Sequence, residues 1–113
     1  VAEAGVLLAR VTQVKHAFGA RFIGLGTGMN SLIRPALYGA RHEMANLTRL
    51  GEQSTGLASI VGPICESADL LGAERLMPET REGDVFLIAE AGAYGAVMAS
   101  RYNLREPAGE SVV

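Results

Sequence analysis

This chain is poor in the residues that most often announce chemistry: 113 residues carry one cysteine, two histidines and a single lysine. One cysteine forms no internal disulfide and supplies no thiolate cluster, and His16 and His42 are too far apart for a metal-site pair, so no structural metal is expected. An excess of one charge is also missing. The net charge is -2, with no long run of like sign, which argues against a nucleic-acid groove or an anionic membrane surface as partner. No apolar run approaches the ~18–20 residues that span a bilayer. The opening "VAEAGVLLAR" has neither the basic lead nor the small-residue cleavage site of a secretion signal, so the expectation is a cytoplasmic protein that meets small molecules or other protein surfaces. There is no initiator methionine and an apolar segment begins almost at once, so the first strand is expected to sit beside residues outside this sequence.

What is present suits one small domain with a real core. Apolar residues make up 49% of the chain, and a chain of this length buries roughly 60–68% of its unfolded surface on folding. "VLLARVTQV" and "RFIGL" are β-like runs flanking "KHAFGA", where Gly19 can supply a turn, and they predict a hairpin. "GTGMNSLIRPALYG" predicts a short helical stretch interrupted or restarted at Pro35, with Asn30 and Ser31 as possible caps. Further strands are expected within residues 42–50, at "LASIVG", at the unbroken apolar run "VFLIA", and at the closing "AGESVV". "GEQSTG" and "ETREGD" read as polar turns, and "GPICES" as a turn that follows a strand. Five or six short strands with glycine-rich turns and brief helices predict a mainly β fold, an antiparallel, Greek-key-like barrel or sandwich over residues 1–113.

A few polar groups stand out, each with an ordinary explanation beside a functional one. Arg34 and Tyr38 are four apart and share a helical face, so a guanidinium fork and a phenol could converge on one anion. A surface ion pair for Arg34 and core packing for Tyr38 are the alternatives. Cys65 is a small buried hydrophobe or a reactive thiol, and Glu66 a solvated turn residue or a ligand for a cation. Tyr94 lies between Gly92, Ala93, Gly95 and Ala96, small residues that admit a ligand or simply a close backbone contact. His16 in a hairpin turn and His42 beside Glu43 are read as solvated or structural. Spacing alone names no reaction.

Taken in order, "GMNSLIRPALYGA", "VGPICES", "GD" before an apolar strand and "AGAYGAVMASRYN" resemble the C-terminal region of the diaminopimelate decarboxylase family, over essentially the whole chain. Cys-Glu-Ser after Gly-Pro, with Arg-Pro-x-x-Tyr upstream, separates this likeness from the related ornithine decarboxylases. The resemblance implies a pyridoxal-phosphate enzyme of the alanine-racemase type. Its N-terminal α/β barrel, absent from this sequence, would carry the Schiff-base lysine, and its C-terminal β-barrel is the part present here. Lys15 is no candidate for that lysine. The wording also resembles relatives that carry an aspartate kinase on the same polypeptide.

By the same resemblance the reaction converts meso-diaminopimelate to L-lysine and carbon dioxide. Cys65 would be the proton donor, Glu66 would bind the distal ammonium, and Arg34 and Tyr38 the distal carboxylate. Tyr94 would contact the cofactor at its phosphate and line the substrate site. Each active site would lie between two subunits of a homodimer, and the isolated fragment would be inactive. Gly26 stands where family members commonly carry an acidic residue. Two other readings stay open: a non-catalytic dimerisation or binding barrel, and a decarboxylase of another basic amino acid. Arg34 argues against the second, since it would repel a lone ammonium.

Overall fold

The two β-like runs at the start fold back on each other as their alternation requires. Strand β1 (Leu7–Ala17) pairs antiparallel with β2 (Ala20–Leu25) through a turn at Phe18 and Gly19, both with positive φ, the geometry that matches the twist of a tight hairpin. In this computed structural model, which describes residues 1–64 and 67–113, His16 lies on β1 rather than in the turn. A register shift between Val11 and Gln13 bends β1. Its first half therefore pairs with β6 (Val85–Ile88) and its second half with β2.

The remaining strands are β3 (Met44–Asn46), β4 (Gly56–Val61) and β5 (Leu70–Met77), and the six-stranded sheet runs β3-β6-β1-β2-β4-β5. It curls into a nearly closed barrel with β3 and β5 at the open seam. The mainly β expectation holds, with one refinement: β2 and β4 pair in parallel, Ile23 opposite Ile60, while the other ladders are antiparallel. A parallel pair needs a long crossover. Residues 26–55, carrying helix α1 (Arg34–Tyr38) and β3, supply it. The core gathers Val11, Ile23, Leu25, Leu32, Ile60, Leu71, Phe86 and Ile88. Each large side chain among them contributes about 1.5–3 kcal/mol by leaving water.

Several expectations change. β5 carries "LLGAERLM", a composition of good helix formers, and Glu74 at φ 49° breaks its alternation, so neither propensity nor period announces a strand. Pairing with β4 overrides both. The closing "AGESVV" forms no strand; it runs over the surface, with Ala108 N donating to Ser31 Oγ at 2.8 Å. Asn30 and Ser31 do not cap α1, whose N-terminal neighbour is Ile33 with Pro35 in the first turn. They tie the preceding loop to the C-terminal segment instead: Asn30 O accepts from Ser100 N at 2.8 Å. The apolar run of β6 is less covered than its composition predicts, with Phe86 and Ile88 buried and Val85 and Leu87 only half-buried. No helix among the described residues is long and apolar enough to cross a membrane.

Candidate functional site

Helix α1 is a little over one turn long and is closed by Gly39 at φ 66°, the left-handed position glycine takes without penalty. That turn puts Arg34 and Tyr38 on one face. Arg34 is half-buried and Tyr38 is 64% exposed. Among the described residues neither side chain has a hydrogen bond or ion pair, so a surface ion pair for Arg34 and core packing for Tyr38 are not what holds them. α1 packs against β5.

Tyr94 sits in the segment after β6, exposed and at φ 60°. A non-glycine residue in left-handed backbone costs of order 1–2 kcal/mol and persists only where its surroundings dictate it. Those surroundings are the glycines. A Cβ on Gly92 would strike Val1 O and Gly5 N, and one on Gly95 would strike Ala91 O. The small residues beside Tyr94 therefore serve close backbone packing, pinned by Ala91 N to Gly5 O at 2.9 Å and Gly92 N to Ala2 O at 3.1 Å. The phenol is left beside a cavity of about 380 Å³ lined by Leu7, Ser31, Tyr94, Gly95 and the C-terminal segment. Neither Arg34 nor Tyr38 lines that cavity, so this chain alone does not unite the three side chains in one pocket.

Cys65 and Glu66 lie outside the described residues. The segment leading to them is tightly held. Asp69, 4% exposed, accepts from Met29 N and from Ile64 N, each at 2.7 Å, one on each carboxylate oxygen. Its backbone carbonyl also accepts from Gly62 N at 3.1 Å. Gly28 and Gly62 approach so closely around this carboxylate that a methyl on either would collide with it. One buried acid thus clasps the "GTGMN" loop to the "VGPI" segment. Sequence reasoning passed over Asp69, although two glycine-led loops and an acid just past the cysteine were visible.

His42 has the structural role expected of it: it is 1% exposed and its Nδ1 donates to Ala89 O at 2.9 Å. Gly26 is exposed, a Cβ there would meet Thr12 Cγ2 at 3.5 Å and Arg10 O at 3.7 Å in ordinary contact, and nothing in the structure assigns it a function. Lys15 lies on β1 opposite Phe22, exposed and away from the cavity beside Tyr94. The described residues thus offer a cofactor one phenol and no lysine beside it.

Residues 2–92 match the family described as pyridoxal-dependent decarboxylase, C-terminal sheet domain. The whole chain is 43% identical to diaminopimelate decarboxylase from Zymomonas mobilis and 47% identical to that from Neisseria meningitidis serogroup B, spanning 26% and 27% of those relatives. A crystal structure of diaminopimelate decarboxylase from M. jannaschii in complex with L-lysine superposes on 94% of the chain with a TM-score of 0.87 at 38% identity, using 24% of that structure. The chain therefore covers about a quarter of its relatives' length. With the barrel and the family match in agreement, this chain belongs to the C-terminal sheet domains of the pyridoxal-dependent decarboxylases.

Proposed function

We propose that these 113 residues are the C-terminal domain of a cytoplasmic diaminopimelate decarboxylase. That domain works with an N-terminal pyridoxal-phosphate-binding barrel of the same polypeptide, in a homodimer whose active sites lie between subunits. The observation that carries the reading is Arg34 and Tyr38 on one face of α1 without partners among the described residues, in a chain 43% identical to a diaminopimelate decarboxylase along its whole length. A guanidinium fork and a phenol match a carboxylate, and a substrate ending in an amino acid head presents one.

The cofactor, when bound, supplies an electron sink for the bond to the departing carboxylate. In this reading the residues of this chain bind, orient and deliver a proton. Arg34 and Tyr38 hold the distal carboxylate of meso-diaminopimelate, and Glu66 holds the ammonium beside it. A substrate lacking the carboxylate leaves the guanidinium unmatched, which separates diaminopimelate from its product lysine. A free thiol, with a reference pKa of about 8.5, is mostly protonated at neutral pH, and in this reading Cys65 returns a proton to the carbon that lost carbon dioxide. Tyr94, presented on a left-handed turn, reaches the cofactor's phosphate with its hydroxyl. The fit is partial, as expected of one domain: this chain offers the phenol, and the Schiff-base lysine belongs to the other.

The test is release of lysine and carbon dioxide from meso-diaminopimelate by the full-length protein with pyridoxal phosphate, wild type against Cys65→Ala. Wild type should make lysine and the variant should be slower by at least ~10²-fold. An inactive wild type overturns the assignment in favour of a binding barrel or another substrate, and equal rates remove the role of the thiol.

A further inference from the structure

We infer that Arg75 is the receptor for a carboxylate supplied by the part of the polypeptide that lies outside these 113 residues. Arg75 lies on β5 opposite Ala58 of β4, a core position, because the bulge at Glu74 resets the alternation and turns the arginine inward. It is 8% exposed. Its side chain folds back over Gly72: a methyl built there would stand 3.3 Å from Arg75 Nε and 3.1 Å from Sδ and Cε of Met44. Met44 belongs to β3, so the guanidinium occupies the seam where the edge strands β5 and β3 face each other without pairing.

Its guanidinium nitrogens keep some contact with solvent at that open seam, and nothing else described satisfies them. Among the described residues Arg75 makes no hydrogen bond and no ion pair. The charges it feels are Arg41, which repels it, and Glu43, which is already paired with Arg41 at 3.2 Å in solvent. Burial, reinforced by Arg41, pushes its pKa below the ordinary value. A guanidinium nonetheless does not shed its proton in a protein, so a buried one needs an anion or a set of carbonyls. The other buried carboxylates are committed elsewhere, Asp69 to Met29 N and Ile64 N, and Asp84 to Asn46 and Arg49. A planar fork at an open barrel seam is suited to a bidentate carboxylate. This chain covers only 26% and 27% of two of its relatives, and the inference rests on the reading proposed above, in which the remaining domain of the same polypeptide is the source of the covering segment.

The experiment is a melting series on the full-length protein. Arg75→Met should lower the midpoint by roughly 5 °C, because it strands a buried carboxylate. One Asp→Asn or Glu→Gln change outside these 113 residues should be destabilising in the wild type yet restore most of the loss when combined with Arg75→Met. Arg75→Lys, which keeps the charge without the fork, should lose less, and it carries the same test if the methionine variant does not fold. The inference is overturned if Arg75→Met melts at or above wild type, or if no such change outside this chain restores it. It also fails if Glu66→Gln or Glu43→Gln does the restoring, which would put the partner inside this chain. A shift in midpoint that varies with protein concentration would put the carboxylate on a second copy and would likewise overturn it. None of these readouts depends on which amino acid the enzyme decarboxylates.

Discussion

Two buried charges on this barrel are handled in opposite ways. Asp84, just before β6 and 4% exposed, accepts on Oδ2 from Asn46 Nδ2 at 3.0 Å, Arg49 Nε at 2.8 Å and Arg81 N at 3.0 Å. Burial by itself pushes the Asp84 carboxyl up, and these donors together outweigh it and hold the group below the usual carboxylate range. Arg75, nearly as buried, has no counterpart to this network among the described residues. The chain is not short of means to satisfy a guanidinium. Arg21 donates to Gly56 O and Met77 O at 2.9 Å and to Pro78 O at 3.0 Å, closing the end of the β4–β5 pair. The contrast separates a part of the barrel finished from within the chain from a seam built to be finished by something else.

The largest effect should come from breaking the closed network. Asp84→Ala leaves the Asn46 amide, the Arg81 N–H and the Arg49 guanidinium without their acceptor, and should cost about 3 kcal/mol in urea unfolding of the full-length protein. The same group should show in pH. Its folded pKa lies below its unfolded value of about 3.9. Its contribution is therefore fully present above that value and is lost as pH falls through the folded pKa. Asp84→Asn should flatten the fall in stability below about pH 4, measured by urea midpoints from about pH 2 to 6. An unchanged slope would assign the acid sensitivity to other carboxylates.

A smaller loss should follow Asp69→Asn, which turns one of two acceptors into a donor facing either Met29 N or Ile64 N. The expected cost is about 1–3 kcal/mol. Because Ile64 adjoins Cys65, the turnover number should fall while the protein stays folded at moderate temperature. Full activity in a destabilised variant would confine Asp69 to folding. The least change is expected from Arg41→Gln, which removes an exposed pair with Glu43 and at the same time a like charge near Arg75. These oppose each other, and the melting midpoint should move by no more than about 0.5 kcal/mol in equivalent stability.

Where structure followed sequence, the determinants are local. The hairpin follows from two alternating runs around Phe18–Gly19, α1 from Pro35 in its first turn and Gly39 at its end, and β4 and β6 from β-branched and aromatic composition. β5 was hidden because a bulge interrupts its period and its residues favour helix, and the parallel β2–β4 pair because nothing local records which distant strand a strand will join. The polar residues divide in the same way. Arg34, Tyr38, Cys65, Glu66 and Tyr94 were visible through motifs, whereas Asp69 and Arg75 are ordinary letters until folding buries them.

By itself, then, the sequence determined the class of fold, the hairpin and helix, and the residues that mark its family, because those depend on periodicity, turn chemistry and short spacings. Only the tertiary structure decided that Asp69 clasps two glycine loops, that Asp84 is sated and that Arg75 finds no partner among the described residues. Burial and the supply of hydrogen-bond partners are set by residues tens of positions away, and a charge acquires its cost only when water is removed from it.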